Sequence, residues 1–196
     1  MIHKELIQGS NEWLMARLGK ISASNIKPLM AARGLGEGAK TYALELIAEE
    51  LTGEPKHLFI NDAMQFGIDN EPLAREIYEQ HLGEVVQVGG IEVDGLWYSP
   101  DGLVGDDGLI EIKCPQPTQH LRNLLGDGSG EYEGQIQFGL MVSDRSWCDF
   151  ISFNPNFPDD KAFKITRVER DQEYISLLRE RIEQFIIIKK MYNEKI

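Results

Sequence analysis

The spacing of apolar residues changes twice along the chain and divides it into a helical first part, a run of short strands and a mixed closing part. Residues 10–18 carry the period of a short helix, with Ser10 placed to cap it and Gly19 to stop it. A second helix start is expected at Ser22 to Ser24, followed by a Gly-rich surface loop over 31–39. In residues 40–52, Tyr42, Leu44, Leu46, Ile47 and Leu51 are expected along one helical stripe that ends at Gly53. A longer helix is expected over 61–82, with Gly67 and Pro72 as possible interruptions. The period then shortens: 84–88, 91–93, 96–99, a piece after Asp101, and 109–114 read as strands of an antiparallel meander, separated by Gly- and Asp-rich turns. Helices return over 117–125 and 131–143, joined by a flexible GDGSG connection (126–130). Strands over 147–153 and 162–168 precede a closing amphipathic helix over 170–194. This order predicts one α+β domain spanning 1–196, a mixed sheet flanked by helices, rather than a regular β/α alternation.

Composition narrows the setting. A chain of 196 residues buries roughly 70% of the surface its unfolded form exposes, so a core needs no staples. Two cysteines, Cys114 and Cys148, exclude a disulfide scaffold or a four-thiolate cluster and fit a reducing cytoplasm, with Cys148 expected as a packed thiol. No apolar run approaches a membrane span, so no membrane partner is expected. The net charge of −12 opposes non-specific DNA binding. Its distribution is uneven: residues 1–36 carry +3, 37–113 carry −13 and 114–196 carry −2. The basic first segment can face an anion, while the acidic middle supplies carboxylates.

Residues 34–41, GLGEGAKT, nearly match a phosphate-binding P-loop. Ala39 replaces the glycine before the lysine, Glu37 adds an anion, and no strand precedes the loop, so a surface loop is expected. Arg33 at its start remains able to touch an anion.

The segment richest in chemistry is Ser99-Pro100-Asp101-Gly102 followed by Glu111-Ile112-Lys113-Cys114-Pro115. On a strand, Glu111 and Lys113 share one face, while Ile110, Ile112 and Cys114 point the other way. Hairpin pairing brings Asp101 beside Glu111. Two adjacent carboxylates repel unless a cation lies between them, and Mg²⁺ (or Mn²⁺) suits a pair of carboxylates that also meets substrate phosphate. The Ile112 carbonyl can add a ligand, Glu71 a third carboxylate. Lys113 can hold the attacking water, and Gln135, on a helix face with Tyr132 and Gly139, can bond that water or the scissile phosphate. The competing reading of each is a solvated surface residue.

Together these motifs, with Trp13-x-x-x-Arg17-x-Gly19-x-Ile21-Ser22-Ala23-Ser24, Phe66-Gly67 with Glu71, and Tyr132-x-x-Gln135-x-Gln137, resemble the lambda-phage-type alkaline exonuclease or YqaJ-type viral recombinase family of PD-(D/E)xK nucleases. The resemblance runs from about residue 9 to the final helix, though this chain is shorter at its ends. It implies a restriction-endonuclease-like core over 61–196 and a helical part over 1–60. It implies a Mg²⁺-dependent 5′→3′ exonuclease on linear double-stranded DNA, releasing mononucleotides and leaving 3′ overhangs for phage or prophage recombination. Asp101, Glu111 and Glu71 resemble the metal ligands, Lys113 the water-activating lysine, and Gln135 and Tyr132 the supporting residues. Arg17, Ser24 and Ser99 resemble a 5′-phosphate pocket, consistent with the Arg donor fork and with a helix start at Ser24. Met64 falls where an apolar wedge would part the terminal base pair; core packing is its competing role. A homotrimeric ring and a single-strand annealing protein are the implied partners. The alternatives are an endonuclease of the same superfamily and a non-catalytic DNA-binding assembly protein.

Overall fold

The computed structural model describes residues 1–56, 60–126 and 129–196. Within them the first sheet runs β1 (Ile2–His3), β3 (Gly90–Val93), β4 (Leu96–Tyr98), β2 (Ile21–Ser22). The second runs β5 (Gly102–Val104), β6 (Gly108–Lys113), β7 (Trp147–Phe153), β8 (Phe163–Glu169). Each mixes pair types: β2–β4 and β6–β7 are parallel, the other pairs antiparallel. The fold is thus α+β with mixed sheets, as expected, but there are two sheets rather than one. The meander breaks at Ser99–Asp101, where the chain leaves β4 for the other sheet. Residues 84–88 do not form a strand; they meet β5 at a single bridge, Val86 to Leu103.

Helix α5 (Glu133–Ser143) packs against β3 and β4 of the first sheet and against β7 of the second. Its residues 136–142 are all buried, as a helix enclosed on every side requires. Gly139 is the point of closest approach: a Cβ there would lie 2.5 Å from the Tyr98 ring. Helices α2 (Glu37–Thr52) and α7 (Gln172–Asn193) pair on the outside. The buried face of α2 is Ala39, Tyr42, Ala43, Leu46 and Ile47, an i, i+3, i+4, i+7, i+8 pattern. Leu44 and Leu51, expected on that stripe, are exposed, because the two alanines complete it instead.

Helix α3 (Asp62–Leu82) packs on β6 and β7 and passes through Gly67 and Pro72 without a break. Ala74 and Tyr78 anchor it over Ile110, Ile112 and Ile151, and this packing outweighs the local penalties. The second helix start at Ser22 to Ser24 is only a 3-10 turn, Ala23–Asn25. Pro28 explains this, since it disfavours helical geometry at Lys27 and supplies no N–H. The expected helices over 10–18 and 117–125 are present as α1 (Asn11–Arg17) and α4 (Pro117–Leu125), whereas the short α6 (Asp159–Ala162) was not signalled by the sequence pattern. Part of the GDGSG connection lies outside the described residues. Among the described residues no helix is long and apolar enough to cross a membrane. Cys148 is a fully buried free thiol.

Alanine in a helix normally stabilises relative to glycine by about 1 kcal/mol. Gly139→Ala reverses that sign because Tyr98 is fully buried and cannot retreat. The expected outcome in urea denaturation is a loss of about 1–3 kcal/mol.

Candidate active site

Strand β6 is buried on both faces. Ile110, Ile112 and Cys114 face α3, and Leu109 faces the main core, on the side that also carries Glu111 and Lys113. Glu111 is therefore only 1% exposed. Its Oε1 accepts hydrogen bonds from Lys113 Nζ at 2.5 Å and from Gln135 Nε2 at 2.6 Å. Its Oε2 is buried with no hydrogen-bond partner.

The β5–β6 register pairs Gly102 with Ile110, so Asp101 falls beside Glu111. Asp101 Oδ2 accepts from the Ile112 N–H at 2.6 Å. The N–H and carbonyl of one strand residue face the same edge, so the Ile112 carbonyl also lies on the Asp101 side of β6. Glu71 reaches the same neighbourhood from α3, where Gly67 packs close to the Cys114 carbonyl.

The electrostatics treat these groups as one unit. Burial pushes Glu111 up to about 7, opposed by Lys113 and reinforced by Asp101 and Glu71. Asp101 is raised mainly by burial, against the pull of Lys113. Glu71 is raised by burial and by Asp101, against Arg75 and Lys113. Burial alone would lower the Lys113 ammonium, but Glu111 and Asp101 together hold it above its ordinary value. Three carboxylates thus share two cations, Lys113 and Arg75, which leaves negative charge in excess.

Among the described residues no three His, Cys, Asp or Glu side chains form a ready-made metal cage. The donor set instead fits an ion that takes one or two carboxylates and a carbonyl and completes its shell with water and phosphate, as Mg²⁺ does. The unpartnered Glu111 Oε2 is the observation that fits such an ion.

Tyr132 precedes α5, stacks on Phe150 at 5.1 Å, and lies with its ring 5.6 Å from Lys113 Nζ. Tyr132 and Gln135 line a cavity of about 350 Å³ whose opposite wall holds Ser24 and Lys27. Ser24 sits in the 3-10 turn, not at a helix N-terminus, so no helix dipole acts there. Its hydroxyl lies 3.4 Å from Ser22 Oγ, which accepts from Arg17. Arg17 lines a second cavity with Lys20, Ser22 and Asn25, on the other side of this turn. Its guanidinium stacks on Trp13 and makes no ion pair among the described residues, so donors remain for an anion. Burial lowers its pKa, with Tyr42 and Glu49 opposing.

Ser99 does not line either cavity. Its hydroxyl donates to the Gly89 carbonyl and accepts from the Trp13 and Trp97 indoles, which exhausts its capacity. It ties α1, and with it Arg17, to the loop that carries Asp101. Arg33 is exposed on a turn and also lines neither cavity. Lys40 of the P-loop-like stretch pairs with Glu37 inside α2. Met64 is 46% exposed on α3, between exposed Ile60 and Ile68, which excludes the core role.

The roles of two residues escaped the sequence reading, Gln137, which appeared there only within a motif, and Arg75. Gln137 donates to the Glu169 carbonyl and accepts from the Asp171 N–H, which fixes α5 and hence Gln135. Arg75, one turn after Glu71, bonds both Glu71 and the Asp101 carbonyl. Its signal was the i, i+4 spacing of opposite charges on a helix.

A profile of the YqaJ-like viral recombinase domain matches residues 12–146. The structure is similar to the alkaline exonuclease LHK-Exo from Laribacter hongkongensis, with 38% identity, 95% of each chain covered and a TM-score of 0.86. The same enzyme in complex with dAMP gives 0.87 at the same identity and coverage. A phage-related exonuclease from Haemophilus somnus 129PT shares the fold at 15% identity, TM-score 0.74, with 90% of this chain and 96% of that one covered. A comparison with curated protein sequences returns no match.

Because Glu111 is raised from 4.5 to about 7, the folded metal-free protein holds a proton there that the unfolded chain has released. Its contribution is fully present below 4.5 and is lost as pH rises through about 7. In chelator, urea-unfolding stability of the wild type is expected to fall across this window by up to about 3 kcal/mol more than that of Glu111→Gln. Parallel curves would contradict the buried carboxylate.

Proposed function

The chain belongs to the YqaJ-like viral recombinase family, and on that premise we propose that it is a Mg²⁺-dependent exonuclease that digests linear double-stranded DNA 5′→3′. The products are 5′-mononucleotides and a 3′ single-stranded overhang for recombination by strand annealing. The observation that carries this reading is the buried Glu111, bonded through one oxygen by Lys113 and Gln135 and unpartnered at the other, beside Asp101.

Asp101, Glu111 and the Ile112 carbonyl would hold the cation, with Glu71 in support. A bound divalent cation there supplies Lewis-acid polarisation of the scissile phosphate and charge for the leaving 3′ oxygen. Lys113, hydrogen-bonded to Glu111, is placed to hold and activate the attacking water and to offset charge on the phosphorus. Gln135 fixes Glu111 and borders the groove through which the strand would reach it. Tyr132 confines Lys113 from the ring side. Arg17, with the Ser22 and Ser24 hydroxyls, forms the end of that route suited to a 5′-terminal phosphate. Met64, exposed on α3, is assigned the wedge against the last base pair. A homotrimeric ring with basic residues turned inward reconciles the charge of −12 with a DNA substrate.

The test is digestion of linear duplex with 5′-phosphate or 5′-hydroxyl ends, and of a covalently closed circle, in Mg²⁺ or EDTA. The expected outcome is Mg²⁺-dependent digestion of the linear DNA only. Lys113→Ala is expected to lower kcat by about 100-fold or more. Arg17→Ala is expected to remove most of the preference for phosphorylated ends. Nicking of the circle would indicate an endonuclease, and no hydrolysis under any condition an assembly protein.

A further inference from the structure

Arg75 is 9% exposed on α3 and bonds through all three guanidinium nitrogens. Nε donates to the Asp101 backbone carbonyl at 3.0 Å. Nη2 donates to Glu71 Oε1. With the Gln87 amide turned oxygen-inward, that oxygen accepts from Nη1 at 2.8 Å and Nη2 at 3.3 Å. One side chain therefore ties three segments together: α3, the connection that carries Asp101, and the stretch leading into β3.

The cost of this arrangement calls for an explanation. Arg75 loses most of its hydration, and an ordinary surface i, i+4 pair on a helix yields only about 0.3–0.5 kcal/mol. Fixing α3 to β6 does not require it, because Ala74, Tyr78, Ile110 and Ile112 already do so. What Arg75 adds is relative placement. It sets the Glu71 carboxylate against the main chain of Asp101, and it does so with a planar fork that allows little rotation. Only Oε1 of Glu71 is used; among the described residues nothing donates to Oε2.

We propose that Arg75 is a positioning residue for divalent-cation binding, holding Glu71 and the Asp101 backbone in register so that both carboxylates face one site. This inference rests on the proposed metal-dependent reading and deepens it. It requires the fork rather than the charge, so lysine is no substitute.

The experiment is calorimetric titration of the whole protein with Mn²⁺ in the absence of DNA, using wild type, Arg75→Lys and Arg75→Gln, alongside kcat and KM on linear duplex. The expected result is a 10–100-fold loss of Mn²⁺ affinity in both variants, with kcat reduced at saturating metal and KM for DNA within about twofold. Combined with Glu71→Gln, Arg75→Lys is expected to add little, because it acts through Glu71. Wild-type affinity in Arg75→Lys would overturn the proposal and leave the nuclease reading standing. Failure of the wild type to bind Mn²⁺ or hydrolyse DNA would overturn the nuclease reading itself. Should both Arg75 variants fail to fold, Gln87→Ala carries the test, since Gln87 is exposed. A loss of roughly threefold or more in Mn²⁺ affinity then supports the fork, and an unchanged affinity overturns it.

Discussion

A carboxylate with almost no exposure needs partners, and Glu111 has them for only one oxygen. Lys113 and Gln135 both donate to Oε1, one from its own strand and one from the enclosed helix α5. Much of the architecture serves to keep that geometry. The strand is covered on both faces, so the side chain cannot turn to water. The helix is fixed along its middle by the hydrogen bonds of Gln137 and by the fit of Gly139 against Tyr98. The free oxygen beside Asp101 leaves a position for a further cation, and burial raises the proton affinity of all three carboxylates.

The Gln135 cavity and the Arg17 cavity meet at one short 3-10 turn, Ser24 lining the first and Ser22 the second. Arg17, Lys20 and Lys27 of the first segment line these two cavities together with Glu45, Glu49 and Glu131, while Glu71, Asp101 and Glu111 come from the acidic middle.

Much of this was legible in the sequence where a local rule decides. The alternation Ile110-Glu111-Ile112-Lys113 gives the two faces of β6, and the hairpin spacing brings Asp101 opposite Glu111. The caps and glycine stops give most helix limits. What was not legible depends on tertiary contacts. The separation of β4 from β5 into different sheets leaves no mark in a run of equally strand-like pieces. The continuity of α3 through Pro72 is set by its packing on β6, not by its own residues. Ser99 looks like a free hydroxyl until two tryptophans, 84 positions apart, are seen to converge on it. Arg75 looks like half of a surface pair until the Asp101 carbonyl is found at its Nε.

The account stands or falls on whether a divalent cation sits against Glu111. Diffraction from crystals soaked in Mn²⁺, measured for anomalous signal, locates it directly. The expected peak lies within about 2.0–2.3 Å of an Asp101 oxygen and of Glu111 Oε2, on the edge of β6 that carries the Ile112 carbonyl. An empty map at that position, with Glu111 Oε2 still unpartnered, would contradict it.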